Sequence, residues 1–122
     1  MDGDVGITFI LAIMEISDEI WCQLINQLFT VELRTRKSMD TDFYQRRFDR
    51  IRDLLKEIQI YVHDPLGENY DHTRTDCEAI LQGEPQSPLT IVEVIKPIIY
   101  FTNGETRRLI QPGVVMIQSA TL

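Results

Sequence analysis

Tyr44, Phe48, Ile51, Leu55, Ile58 and Val62 follow one another at steps of four, three, four, three and four, the spacing that keeps one stripe of a helix apolar along its whole length. Such a seam has to be covered, because an exposed apolar stripe of that length drives association. A first candidate cover lies just ahead of it. Ile10, Ile13, Met14, Ile20, Trp21, Leu24, Ile25, Leu28 and Val31 recur at threes and fours and predict a helix over 7–33. The polar stretch 34–42 separates the two helices and offers Ser38, Asp40 and Thr41 as N-caps. Together the helices carry more apolar surface than a small second lobe can cover. We therefore expect residues 1–62 to be a helical dimerisation region in which two copies build a four-helix bundle. Leu11, Met14, Trp21, Leu24, Phe48, Ile51, Leu55 and Ile58 are the residues expected at its interface.

The pattern changes at 63–71, where Pro65 and Gly67 stop the helix and turn-forming residues take over. Residues 63–122 read as a small β-rich domain, so the fold class is α+β. Residues 77–81 are one predicted strand and 83–88 a loop. Residues 90–101 are a long β-branched run in which Pro97 must interrupt pairing or sit at an edge. Thr102, Asn103 and Gly104 signal a hairpin, and 108–117 return with a bend at Pro112 and Gly113.

Charge is distributed unevenly behind the net value of −7. Residues 1–30 hold five acids and no Lys or Arg, 31–62 hold eight bases against six acids, and 63–122 hold four against eight. The basic stretch Arg34, Arg36, Lys37, Arg46, Arg47, Arg50 and Arg52 is interleaved with Asp40, Asp42, Asp49 and Asp53, which suits the solvated face of a bundle better than a nucleic-acid surface. Nucleic acid is not an expected partner. The apolar run 7–14 follows Asp2 and Asp4 and is closed by Glu15 and Asp18, so neither a signal peptide nor a membrane span is expected and the cytoplasm is the expected location. Cys22 and Cys77 stand 55 residues apart without a close-spaced pair, as expected of reduced, buried thiols.

Motifs for chemistry are sparse. The sequence has no phosphate-binding glycine loop, no G-x-S-x-G elbow and no H-E-x-x-H helix. His63, Asp64, Asp71, His72, Asp76 and Cys77 form the one cluster with metal-ligating or acid/base residue types, but their spacing fits no metal pattern and suits a solvated loop with turn caps. Trp21, Phe29, Phe43, Tyr44 and Phe48 fall at core spacings. No enzymatic activity, cofactor or metal is expected.

Several segments, taken in order, resemble the GrpE family, the nucleotide exchange factors of DnaK-type chaperones. Residues 10–20 are similar to its acid-punctuated bundle segment through Leu11, Ile13, Glu15 and Asp18, and 48–62 to the helix that runs into its β-domain. Residues 69–80 resemble its leucine-aspartate-proline stretch through Asp71, Ala79 and Ile80, with Tyr70 in place of leucine, His72 in place of proline and the family histidine absent. Residues 90–101 are similar to its valine-rich strand, and 109–117 to its closing strand through Ile110, Pro112, Val115 and Ile117.

The resemblance implies a homodimer whose β-domain binds the nucleotide-binding domain of a DnaK-type chaperone and promotes ADP release. It assigns partner contacts to Arg108, Arg107, Tyr70, His72 and Ile117, with Arg108 and Arg107 at a hairpin tip projecting into solvent. Gln111 departs from the family arginine, the hairpin 102–109 is longer than usual, and the family's long N-terminal paired helix has no counterpart before residue 10. These departures leave a second expectation beside the first, a dimeric adaptor of the same fold without exchange activity.

Overall fold

A computed structural model describes residues 3–37 and 40–119, with side chains described from Asp18 onward. Two helices, α1 (Gly3–Thr35) and α2 (Thr41–Glu57), precede seven strands, the α+β order expected from the sequence. At ~1.5 Å per residue, α1 is about 50 Å long. Asp40 occupies the N-cap position of α2, its carbonyl taking the Tyr44 N–H at 3.2 Å, while Ser38 lies outside the described residues.

The second helix is shorter than its seam predicts. It ends at Glu57, where Ile58 and Gln59 donate back to the carbonyls of Leu55 and Lys56 and Gln59 turns into the left-handed region at φ 71°. Residues 60–62, assigned to the helical region by their spacing, belong instead to strand β1 (Ile60–His63). The physical reason is that Ile58, Ile60 and Val62 also alternate at period two, and pairing with a later strand favours that alternative. Val62 reaches the core it was expected to reach, but from a sheet: Ile60 and Val62 both join the cluster of Ile25, Leu55 and Ile99, with Trp21, Cys22, Ile51, Phe101 and Ile110 around it.

The other strands are β2 (Asn69–Tyr70), β3 (Cys77–Gln82), β4 (Leu89–Lys96), β5 (Ile98–Asn103), β6 (Thr106–Gln111) and β7 (Gly113–Ser119). They form a three-stranded sheet in the order β1-β5-β6 and a four-stranded sheet in the order β2-β4-β7-β3, with β3 parallel to β7 and every other pairing antiparallel. Pro97 and Pro112 explain the division. Each interrupts an apolar run at the point where the chain leaves one sheet for the other, β4 to β5 and β6 to β7.

This crossing is tightly built. A Cβ on Gly113 would lie 2.9 Å from Ile98 Cγ1 and 3.4 Å from Cys77 Sγ, so only glycine fits without displacement. Gln111 donates to the Pro97 carbonyl at 2.9 Å and exchanges two amide hydrogen bonds with Asn26 of α1, each 2.9 Å. Gln111 thus ties both crossings to the long helix.

Ile98 and Ile99 are both fully buried on opposite faces of β5. Ile99 enters the helix-side cluster, whereas Ile98 enters a second cluster between the sheets with Phe29, Cys77, Ile91, Val94, Val115 and Ile117. Each such isoleucine contributes roughly 1.5–3 kcal/mol by leaving water, so β5 is the strand on which both cores depend.

Candidate interaction surfaces

The β5–β6 hairpin turns at Gly104 and Glu105, with Asn103 opposite Thr106 and positive φ (64°) at Gly104 alone of the two. Its arginines occupy opposite faces. Arg108, opposite Phe101, turns toward α1: its Nη1 donates to Asp18 at 3.1 Å and its guanidinium lies 5.6 Å from the Phe101 ring. Arg107 lies on the far face, 3.8 Å above the Tyr100 ring and 5.9 Å from Tyr61, whose ring also lies 5.3 Å from Lys56 Nζ. Neither arginine projects freely from the tip as expected. An aromatic ring within ~6 Å attracts a cation, and both guanidiniums lie along their strands instead.

Tyr100 continues the Arg107 face inward. Its hydroxyl donates to Asp76 at 3.5 Å, and burial, with Asp76 adding to it, raises its pKa. Asp76 belongs to a polar cluster around Arg74, which donates to Asp76 at 2.6 Å, to Glu68 at 2.7 Å and to the Asn69 carbonyl at 3.0 Å. His63 Nε2 contacts Glu68 at 2.5 Å. Burial is the largest single influence and works to raise Glu68 and Asp76, but the hydrogen bonds and charge of Arg74, joined by His63 at Glu68 and by a backbone N–H and Cys77 at Asp76, together outweigh it and hold both below their ordinary values.

The cluster also closes its own turns. Asp64 accepts from the Leu66 N–H at 3.1 Å, and Asp71 from the Thr73 N–H at 2.8 Å and from its hydroxyl. Of the residue types that suggested a metal, His63 is committed to Glu68, His72 is exposed and Cys77 is buried. Among the described residues no group of three or more His, Cys, Asp or Glu is placed to hold a metal ion.

Tyr70 is half-buried on β2 against the inter-sheet core, and His72 is exposed in the following loop. Ile117, expected to face a partner, is 5% exposed inside that core. The alternation of β7 explains this, since Gly113, Val115 and Ile117 share its inward face. The five expected partner contacts therefore do not form one patch.

The expected dimer residues also divide. Leu11 and Met14 lie outside the described side chains. Trp21, Ile51 and Leu55 pack within the protomer's own helix-side core, and Phe48 is half-buried. Ile58 remains 40% exposed and Leu24 50%. Leu24 belongs to an open stripe on α1 with Ile20 at 65% and Val31 at 53%. Cys22, expected to be buried, is half-buried on the neighbouring face of α1, where burial and then Asp18 raise its pKa.

Between the helices lies Glu32, 2% exposed and the only buried charged side chain among the described residues. Its oxygens accept from Arg52 Nη1 at 2.9 Å and Nη2 at 2.5 Å and from Gln45 Nε2 at 3.2 Å. Arg36 stands 3.8 Å away and donates instead to Asp64 at 3.0 Å. Two members of the basic stretch thus turn inward to hold α1, α2 and the β-lobe together, while Arg34, Lys37, Arg46, Arg47 and Arg50 remain exposed. Sequence reasoning missed Glu32, whose signal was an acid on the apolar side of the first helix. A groove of about 520 Å³ opens beside this elbow, lined by Leu33, Arg34, Lys37, Leu66, Val92 and Glu93 among others.

No described helix is long and apolar enough to cross a membrane. Compared with known proteins, the chain matches no family model, no curated protein and no solved structure.

Proposed function

We propose that the protein is a dimeric, GrpE-like co-chaperone of the cytoplasm that binds the nucleotide-binding domain of a DnaK-type chaperone and promotes ADP release. One observation carries this reading. A long helix with an open apolar stripe, Ile20, Leu24 and Val31, continues through a short second helix into a two-sheet lobe bearing a basic hairpin. That layout gives one surface for a second copy and another for a partner. It agrees with the order of segments on which the family resemblance rests.

Exchange needs no bond chemistry. A lobe that binds the open, nucleotide-poor form of its partner better than the closed form weakens nucleotide binding by the same factor. Arg107 is the stronger candidate contact, because its guanidinium stacks on an exposed strand face with no acidic partner of its own among the described residues. Arg108 is already paired with Asp18.

A second reading, a dimeric adaptor without exchange activity, gains support from that pairing and from the burial of Ile117. Titration of the full chain against the nucleotide-free chaperone domain, with labelled ADP release followed in parallel, separates the two. Exchange requires faster release, and Arg107→Ala should weaken binding by roughly 1–3 kcal/mol. Arg108→Ala should weaken it less and leave folding within about 1 kcal/mol of wild type. Binding without faster release leaves the adaptor, and no binding by the wild type removes both.

A further inference from the structure

The two sheets have four edges, and three of them are protected. β1 lies against α2, with Lys56 over Tyr61. β2 is only two residues long. β6 carries Arg107 and Arg108, is bulged where Ile99 and Tyr100 meet it, and is tied to α1 through Asp18 and Asn26. These are the devices by which a sheet avoids pairing with another chain.

β3 has only one charge, Glu78, and no other such device. It runs six residues in unbroken parallel register with β7 and forms the outer edge of its sheet. It contains no lysine, arginine or proline, and Ile80 and Leu81 are 48% and 42% exposed. No main-chain hydrogen bond from residues 78–82 reaches any described residue outside that pairing. Such an edge presents free N–H and C=O groups in the spacing of a β-strand.

The charges around it select the occupant. Glu78 on β3 and Glu84 just beyond it are exposed, and neither is ion-paired to a described residue. A second copy of β3 would bring two more glutamates to an edge that already holds two. A cationic strand would meet complementary charge and cover Ile80 and Leu81.

We propose that the β3 edge binds an extended peptide of alternating apolar and basic residues as an added strand, by main-chain hydrogen bonding. This site is independent of the co-chaperone reading. The probe is a short, end-blocked, fluorescein-labelled peptide alternating valine and lysine, titrated against the full chain by anisotropy while backbone amides are followed by NMR. Binding should perturb the amides of Cys77–Gln82. The same peptide N-methylated at alternate residues keeps its charge but loses donors, and should bind at least about tenfold more weakly. Glu78→Lys with Glu84→Lys should weaken the unmodified peptide similarly, with the undisturbed amide spectrum reporting an intact fold. Equal binding of the methylated peptide, amide shifts elsewhere, no binding, or self-association through β3 in place of peptide binding would each overturn the proposal.

Discussion

Replacing Arg52 should cost this protein several times more than replacing the acid it holds, although the two form one pair. Arg52→Leu leaves the Glu32 carboxylate 2% exposed, with Gln45 as its remaining hydrogen-bond donor and Arg36 at 3.8 Å. Removing one partner from such a buried pair costs about 3–5 kcal/mol, because the other charge stays desolvated. Glu32→Leu strands a group with a different option. The Arg52 side chain is 23% exposed, so its guanidinium can turn to water, and the expected loss is about 1–2 kcal/mol.

The double variant removes both charges and leaves apolar volume between the helices, so it should lie within about 1 kcal/mol of wild type. Arg52 itself stays charged near neutral pH. The hydrogen bond to Glu32 holds Arg52 above its ordinary pKa despite the opposing effect of burial. Urea unfolding of the four proteins followed by far-ultraviolet circular dichroism gives the complete cycle. A loss below about 1 kcal/mol for Arg52→Leu, or a larger loss for Glu32→Leu than for Arg52→Leu, would refute the assignment of Glu32 as the constrained partner.

Leu24→Asp on the open stripe of α1 should convert a dimer into folded 14.2 kDa monomers by light scattering, whereas Leu55→Asp should unfold the helical half by burying an unpaired carboxylate; a wild type already monomeric at micromolar concentration contradicts the first. Glu68 and Asp76 titrate below their ordinary range, so their contribution is full above about pH 4–5 and is lost as pH falls through the lower folded values. Arg74→Met should therefore lower urea stability clearly at pH 7 but little at pH 3, and an equal gap at both would count against it. Burial raises the Cys77 thiol to about 11, so it should resist alkylation at pH 8 until urea unfolds the protein, and rapid native labelling would contradict that burial.

Most of the element order was legible because periodicity and breakers agreed. The two helices, the hairpin at Gly104 and the interruption at Pro97 all follow from local chemistry. The end of α2 did not, for a reason visible in its residues. Ile58 and Val62 satisfy a helical step of four, while Ile58, Ile60 and Val62 satisfy a strand step of two, and only the pairing of Ile60–His63 with β5 decides between them. That partner is supplied about forty residues later in the chain, so no local window contains the answer. Pro97 was legible as a break, but the change of sheet it permits depends on Gly113 passing against Ile98 and Cys77.

The candidate surfaces were less legible than the fold because adjacency in sequence conceals which way a strand residue faces. Arg107 and Arg108 look like one basic tip. Once paired they diverge, Arg107 to Tyr100 and Tyr61, Arg108 to Phe101 and Asp18. The bulge between Ile99 and Tyr100 makes the inference harder still, since it shifts the register of β6 between Gln111 and Leu109. Counting residues back from Pro112 therefore favours the arginine nearer the proline, whereas the pairing turns that one toward the protein's own helix. If a partner is recognised through this hairpin, Arg107 can meet it without giving up an ion pair, and Arg108 must first release Asp18 and expose the stretch of α1 beside the open stripe. A partner that engaged Arg108 would thus disturb the same helix that we expect to hold the second copy. Loss of Arg108 should then affect coupling between partner binding and dimerisation more than either step alone, which a comparison of dimer dissociation with and without the chaperone domain would reveal.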